Sequence, residues 1–296
     1  MRYAVKRQRR KNAMPKENSG TTGSMFYRHR LPVRIMHWIN VLSFVMMLMS
    51  GLAIFNAHPK LYWGQGSHFD TPLLSIGAVR GPDGQLQGRT RIGSLEFNTD
   101  GVLGASRVQD DATLSSRAFP SWATIPSRQS LALARNWHLL MAWIFLLNGL
   151  GYVAYAVGSG HLRRDLLPTR AELRKIGSSM LDHLHLRHPS GEAAKRYNVL
   201  QNLAYLVVIF GLLPLVVVAG LALSPRMDTL FGGAWVELLG GRQGARTLHF
   251  IAAFSLLAFV LVHLFEVLVT GFWNNLRSMI TGNYRVPPKR DEEAAP

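Results

Sequence analysis

Apolar residues along the chain gather into four long stretches that are almost free of charge. Each holds about 20 residues, and at about 1.5 Å per residue a helix of that length spans about 30 Å, the thickness of the hydrocarbon core of a membrane. The segments between them are polar and rich in Gly and Pro. The pattern predicts four transmembrane helices, at residues 35–55, 137–157, 203–223 and 248–270.

These elements predict an all-α integral membrane protein, a four-helix bundle within residues 26–284. Residues 1–25 are basic and polar and contain no apolar stretch, so they are predicted to be a disordered arm and not a cleaved signal peptide. Residues 285–296 are predicted to be a C-terminal tail. The longest connection, residues 56–130, joins the first two spans. Pro214 is predicted to kink the third span.

Positive charge is distributed unevenly around the predicted spans. Of the 33 Lys and Arg residues, ten precede residue 35, eight lie between the second and third spans, and four follow the last span. Residues 56–130 hold seven basic residues against six acidic ones. Excess Lys and Arg marks cytoplasmic segments, so both termini are predicted to be cytoplasmic and residues 56–130 to lie outside. Because the net charge of +16 follows this topology, nucleic acid is not expected as a partner.

Cysteine and histidine usage narrows the chemistry. The chain has no cysteine, which excludes thiolate-held iron–sulfur clusters, c-type haem attachment through C-x-x-C-H, and disulfides. Seven of its 11 histidines lie in polar segments, and the run from His183 to His188 is interpreted as part of a solvated face. Ionisable side chains at membrane depth are costly and mark functional sites or buried pairs. Four histidines qualify: His37, His138, His249 and His263.

The four membrane histidines fall at two depths. His249 and His263 are 14 residues apart, close to four helical turns, so they project from one face about 21 Å apart. Alternating span directions place His37 level with His263 near the inner end, and His138 level with His249 near the outer end. Each pair can ligate one haem iron from opposite sides. Zinc is the main rival, but two histidines per level without Cys, Asp or Glu make a poor tetrahedral set.

Small and basic residues accompany the histidines. Four glycines leave room for a porphyrin beside the pairs, with plain helix packing as the alternative interpretation. They are Gly51 and Gly220 at the outer level and Gly149 and Gly151 at the inner level. Three arginines each precede a histidine by three residues, where they are candidates for pairing with haem propionates or are ordinary snorkelling residues. They are Arg34, Arg135 and Arg246.

Several short motifs spread over all four spans. They are R-I-M-H-W from Arg34 to Trp38, S-G-L from Ser50 to Leu52, W-H at Trp137 and His138, Y-N-V-L-Q from Tyr197 to Gln201, and H-x13-H from His249 to His263. Together they resemble the bacterial cytochrome b561 and Ni/Fe-hydrogenase b-type cytochrome family, which includes the membrane gamma subunits of formate dehydrogenase and thiosulfate reductase.

The resemblance implies a quinone-linked cytochrome of the bacterial inner membrane with two haem b groups. His37 and His263 are then the ligands of the inner haem, and His138 and His249 those of the outer haem. The resemblance also implies a quinone site formed by Tyr197, Asn198 and Gln201, for which capping of the third span is the alternative. A quinone carbonyl needs a hydrogen-bond donor near water, which this inner helix end supplies. Glu266, one turn beyond His263, is either a proton relay or a snorkelled side chain.

The long outer connection carries Trp63 and Trp122 and resembles members that sit beside periplasmic molybdenum oxidoreductases of the sulfite-oxidase type. The favoured function is therefore electron transfer between a periplasmic redox partner and quinone. A second hypothesis is stand-alone oxidation of superoxide, against which the long connection counts because a small reactant needs only an open positive funnel. A third is a haem-free anchor or transporter subunit, which leaves four membrane histidines unexplained.

Overall fold

The computed structural model describes residues 25–107, 114–160, 199–227 and 229–286, with positions 162, 168 and 174 in addition. Most of these residues are helical. Four helices are long and apolar enough to cross a membrane: α1 (Leu31–Phe55), α2 (Leu131–Gly158), α3 (Val199–Ala222) and α4 (Gly241–Val269). The four predicted spans are thereby confirmed as helices of membrane-spanning length.

Each spanning helix begins four to seven residues before its predicted span. The apolar run marks only the part that suits hydrocarbon, and the helix continues through the polar turn before it. Pro32 lies in the first turn of α1, where its missing N–H removes no helical hydrogen bond. Gly240, with a φ of +78°, ends the preceding turn so that α4 can begin at Gly241. Arg34 and Arg246 therefore lie inside helices.

The third span changes its hydrogen-bonding pattern midway. α-Helical segments at Val199–Val207 and Leu213–Ala222 are separated by a π-helical turn at Val208–Leu212. Pro214 lies in the first turn of the second segment, where it lacks an N–H to donate. The π turn ends directly before the segment that contains Pro214, and the kink predicted at Pro214 stays a prediction.

The spanning helices pack in two tight pairs, α1 with α2 and the second half of α3 with α4. Asn148 of α2 joins the first pair, because its Nδ2 donates to the Met36 carbonyl at 2.8 Å and to Asn40 Oδ1 at 2.7 Å. Alanines fill the second pair, where Ala219 and Ala245 are fully buried. Small side chains let the two backbones approach closely, as is usual between membrane helices.

The described residues between 56 and 130 contain β-structure, which corrects the predicted all-α class. Strands β2 (Lys60–Leu61), β3 (Leu74–Arg80), β4 (Leu86–Ile92) and β5 (Leu95–Asn98) form an antiparallel sheet in that order. Strands β6 (Gly104–Arg107) and β7 (Leu114–Arg117) form an antiparallel pair. A 3-10 turn at Ser121–Ala123 follows before α2. We call residues 56–130 the outer domain.

The outer domain shares its core with the ends of the spans. Its buried residues Leu61, Ile76 and Phe119 cluster with Phe55 from the last turn of α1, and Phe250 and Phe254 of α4 pack against them. The sheet therefore rests on the end of the bundle. The strands are short and partly exposed, and helix side chains complete their core, so their own sequence carries only a weak strand signal.

The opposite end of the bundle joins the two ends of the described chain. Strand β1 (Met25–Tyr27) pairs antiparallel with β8 (Asn283–Arg285), which follows the short helix α5 (Phe272–Thr281). Trp38 Nε1 of α1 donates to the Met279 carbonyl of α5 at 3.2 Å. Met25 and Arg285, assigned from the sequence to the arm and the tail, thus belong to this sheet. Residues 1–24 and 287–296 lie outside the described residues.

Between α3 and α4, a 3-10 turn (Leu230–Gly233) and a short helix (Ala234–Leu238) complete the fold.

Candidate functional site

The structure brings the membrane histidines together in the two predicted pairs. The ring centroids of His138 and His249 are 6.1 Å apart with an interplanar angle of 69°, and those of His37 and His263 are 6.4 Å apart at 71°. Two metal–nitrogen bonds of about 2.0 to 2.1 Å in line with two imidazoles separate the centroids by about 6 Å. The centroid separation of each pair therefore matches that of two imidazoles that share one metal ion.

The composition of the pairs differs from that of a tetrahedral metal site. Within the described residues, no group of three or more His, Cys, Asp or Glu side chains is close enough to hold a metal ion together. A structural zinc site needs four such ligands. Two imidazoles facing each other across a gap instead suit a metal whose remaining ligands come from a planar macrocycle.

Backbone hydrogen bonds orient both rings of the outer pair. His138 Nδ1 lies 3.1 Å from the Met47 carbonyl, and His249 Nδ1 lies 2.8 Å from the Val216 carbonyl. A carbonyl oxygen only accepts, so each Nδ1 must carry the proton and donate it. In a neutral imidazole the other nitrogen, Nε2, then keeps its lone pair, which is the form that binds a metal.

Ser50 adds a second contact to His138. Its hydroxyl is fully buried and donates to the Met46 carbonyl at 2.6 Å, so its oxygen is available to accept from His138 Nδ1 at 3.1 Å. The serine comes from α1 and the histidine from α2. This contact therefore fixes the histidine ring against the neighbouring helix.

The two outer glycines make room for the histidine rings. A Cβ atom at Gly220 would lie 3.1 Å from His249 Cε1, closer than such atoms normally approach, and one at Gly51 would lie 3.4 Å from His138 Cε1. The sequence placed both glycines at the outer level, and the structure puts each against one ring of the outer pair. Their use in leaving space for a porphyrin stays a prediction.

The inner pair is held by aromatic contacts. The ring of His263 stacks on Phe259 at 6.3 Å between centroids, and His37 meets Trp38 edge-on at 5.5 Å. Among the described residues, neither His37 nor His263 forms a hydrogen bond through a ring nitrogen. Of the inner glycines, Gly149 faces open space, and a Cβ at Gly151 would meet only Met36 Cε at 3.8 Å. These two glycines therefore mediate no tight helix packing with described residues.

The three candidate arginines differ in their surroundings. Arg246 donates to the His58 carbonyl in the outer domain and places its guanidinium 5.8 Å from the centre of the Phe55 ring. Arg34 lies against Gly282, and its Nε is buried without a hydrogen-bond partner in the described part of the chain. Arg135 is exposed. Pairing of Arg34 or Arg246 with a propionate stays a prediction.

Only one of the three predicted quinone residues is described. Gln201 Nε2 donates to Glu266 Oε2 at 3.3 Å, which joins α3 to α4 one turn beyond His263. Tyr205 lies one turn further along α3, and its ring contacts the Phe259 ring edge-on, with 6.2 Å between the centroids. Another neighbour of Phe259 is His263, whose ring stacks on it. Tyr197 and Asn198 lie outside the described residues, as does the run from His183 to His188. The quinone role of all three stays a prediction.

Some residues that shape the site were not selected from the sequence. Asn40 and Asn148 form a polar contact between α1 and α2. A polar side chain inside an apolar run is the sequence feature that could have identified them, and the same holds for Ser50. His58 lies in a polar segment of the sequence and was not selected for that reason.

The last part of the outer domain, residues 117–127, is hydrogen-bonded to the end of α1. Asn56 at the end of α1 exchanges two hydrogen bonds with the Phe119 backbone, at 2.7 and 3.0 Å. Arg117, 2% exposed, donates to the Ser127 carbonyl and to Thr124 Oγ1, both at 2.7 Å. These contacts hold residues 117–127 against the end of α1, in which Met47 and Ser50 contact His138.

Comparison with known proteins gives one family and one curated relative. The profile of the prokaryotic cytochrome b561 family matches residues 28–282. A protein of Azospira oryzae described as "putative protein-methionine-sulfoxide reductase subunit YedZ1" is 35% identical over 152 residues, which are 51% of this chain and 71% of the relative. No solved structure matches.

Proposed function

Because the chain belongs to the prokaryotic cytochrome b561 family, we propose that it is a di-haem cytochrome b that carries electrons across the bacterial inner membrane, between a periplasmic redox partner and quinone. Haem b, a multi-pass membrane location and electron transfer follow from the family and the four spanning helices. The observation that supports two haems is the presence of two facing histidine pairs, at 6.1 and 6.4 Å, near opposite ends of the bundle.

Each pair of residues has a defined task in this proposal. His138 and His249 hold the outer haem, and His37 and His263 hold the inner haem. Bound haem supplies a one-electron redox centre at each level. The Met47 and Val216 carbonyls keep the outer imidazoles in the metal-binding tautomer.

The distribution of charge supports one orientation. Loops rich in Lys and Arg usually stay in the cytoplasm, so in this proposal the β1 and β8 end of the bundle lies inside and the outer domain lies in the periplasm. In that orientation the outer histidine pair faces the periplasmic partner. The inner pair lies near cytoplasmic water, which can supply or accept the protons of quinone chemistry.

Quinone is assigned to the inner level. Gln201 carries a side-chain amide that donates to Glu266, one turn beyond His263, and Glu266 is a carboxylate able to exchange a proton with water. In this proposal Gln201 and the adjoining Tyr197 and Asn198 bind the quinone carbonyl, and Glu266 is the group through which a proton passes.

A protein partner suits the outer end better than a small reactant does. The relative from Azospira oryzae is named as a subunit of a putative reductase, and we extend membership of such a complex to this chain. The folded outer domain covers the outer end of the bundle, whereas superoxide would need an open positive funnel. A periplasmic molybdenum oxidoreductase is the partner class that the sequence favours.

The test uses membranes that contain the full chain. Haems reduced with dithionite should be reoxidised by a soluble quinone, and oxidised haems should be reduced by the corresponding quinol. Membranes from cells lacking the protein are the control. A haem spectrum that responds to dithionite but to neither quinone nor quinol would contradict the assignment to the quinone pool.

A further inference from the structure

A polar cluster lies where the outer domain meets α4, one helical turn nearer the outer end than His249. It consists of His58 and Tyr62 from the outer domain and Arg246 from α4. The rings of His58 and Tyr62 are 5.7 Å apart, and Arg246 donates to the His58 carbonyl. Thr247 Oγ1 donates to the Tyr62 carbonyl at 2.6 Å. The cluster is therefore fixed on the helix that carries His249.

Polar groups of this cluster lack the partners that buried groups normally have. His58 Nε2 and Tyr62 Oη are shielded from solvent, and neither has a hydrogen-bond partner among the described residues. Tyr62 as a whole is only 1% exposed. A buried polar atom left unpaired is costly, so atoms of this kind usually face a water or a ligand.

The cluster also carries an uncompensated positive charge. Arg246 is partly buried and forms no ion pair with an acidic side chain in the described ranges. Burial raises the pKa of the Tyr62 phenol, and the charge of Arg246 opposes that change. Burial, together with the charges of Arg246 and Lys60, lowers the pKa of His58. At pH 7 both side chains are therefore neutral. The Tyr62 hydroxyl and the single N–H of a neutral His58 ring can each donate beside the guanidinium, a set that suits a carboxylate.

We infer that His58, Tyr62 and Arg246 form a carboxylate pocket that holds a propionate of the haem bound by His138 and His249. The inference rests on the proposed function, because it requires a haem at the outer pair. Propionates are the carboxylates of haem b, and Arg246 and His249 share one face of α4, three residues apart. The outer domain then contributes directly to the cofactor site.

The test follows haem release from the purified holoprotein to excess apomyoglobin. Release of two haems should give two kinetic phases. The His249→Ala variant is expected to keep only the inner haem, so the phase that it lacks belongs to the outer haem. Tyr62→Phe and His58→Gln each remove or displace one donor while preserving most of the side-chain volume. His68→Gln, at an exposed histidine of the same domain, is the matched control. Arg246→Gln and Arg246→Lys separate loss of the charge from loss of the side chain.

We expect the outer haem to leave roughly tenfold faster from Tyr62→Phe and from His58→Gln, because a hydrogen bond to a charged group is lost in each. Arg246→Gln should have a larger effect than Arg246→Lys. The inner phase and the His68→Gln variant should match the wild type. The midpoint potential of the outer haem should also fall in these variants. With fewer donors and less positive charge around it, the propionate carries more negative charge, which stabilises ferric iron.

The possible failures are distinguishable. If the wild type releases two haems and both conservative variants release the outer one at the wild-type rate, the pocket holds something other than a propionate and the inference is wrong. If the wild type contains no haem that depends on His249, the proposed function fails, and the inference fails with it.

Discussion

The outer and inner histidine pairs have nearly the same spacing but are supported in different ways. In the outer pair, each Nδ1 donates to a backbone carbonyl, and glycines on α1 and α3 lie against the rings. In the inner pair, Phe259 and Trp38 contact the rings and a Gln201–Glu266 hydrogen bond lies beside them. The outer pair is also covered by the outer domain.

This difference indicates a division of labour between the two ends. A ligand pair whose tautomer and orientation are fixed in advance suits a permanent redox centre. A pair flanked by an amide and a carboxylate at a helix end suits exchange of a small molecule and of protons. We therefore expect each end to depend on its own supporting residues.

The largest expected effect comes from removing one ligand at each end. His249→Ala should lose the outer haem and retain the inner one, and His263→Ala should do the reverse. Absorbance and redox titration of the purified variants measure this, with His68→Ala as a control outside the spans. Full haem content in either ligand variant would mean that the altered histidine is not a ligand.

Crowding the outer pair should have the next largest effect. Gly220→Val pushes a side chain against His249, and overpacking of this kind costs about 1 to 3 kcal/mol, which corresponds to roughly 5- to 150-fold weaker binding of the outer haem. Gly211→Val, at a position with open space in the same span, is the matched control. Haem retention during dilution measures the change. Equal retention by both variants would show that Gly220 does not support the outer site.

The spans and the histidine pairing could be predicted from the sequence because both depend on simple periodicity. An apolar run of about 20 residues has few other stable solutions, and the 14-residue spacing of His249 and His263 fixes one helix face. Helix ends were less predictable, because polar turns such as residues 241–247 continue the helix beyond the apolar run.

The outer domain could not be predicted in the same way. Strand β4, with the sequence LQGRTRI, alternates too weakly to indicate a buried face. Its sheet is completed by Phe55 at the end of α1 and by Phe250 and Phe254 of α4, a helix distant in sequence. The cluster of His58, Tyr62 and Arg246 likewise depends on this docking. Only the tertiary contact shows that His58 is not an ordinary surface histidine.

A moderate effect is expected at the inner end. Gln201→Ala and Asn198→Ala should each slow quinone-driven haem reoxidation by roughly 2- to 13-fold, since one hydrogen bond to a neutral carbonyl is worth about 0.5 to 1.5 kcal/mol. Haem content should remain intact. Stopped-flow mixing of dithionite-reduced membranes with a soluble quinone gives the rate. If both variants reoxidise at the wild-type rate, these residues only begin the helix.

The smallest effect is expected from Ser50→Ala. The substitution removes the Ser50 hydroxyl, but His138 Nδ1 keeps the Met47 carbonyl as acceptor. The oxidised-to-reduced ratio of the outer haem should therefore change by about twofold, which is a shift of roughly 20 mV in its one-electron midpoint potential. The inner haem should keep its potential. A redox titration resolves the two. A shift confined to the inner haem would mean that the two pairs have been assigned to the wrong redox centres.

The haem content of the purified wild-type protein shows whether the chain holds two haems on four histidines. Pyridine haemochrome analysis against a quantitative protein determination gives the number of haem b groups per chain. We expect a value near two. A value near one in fully loaded protein would contradict the proposal, because one of the two histidine pairs would then hold no haem.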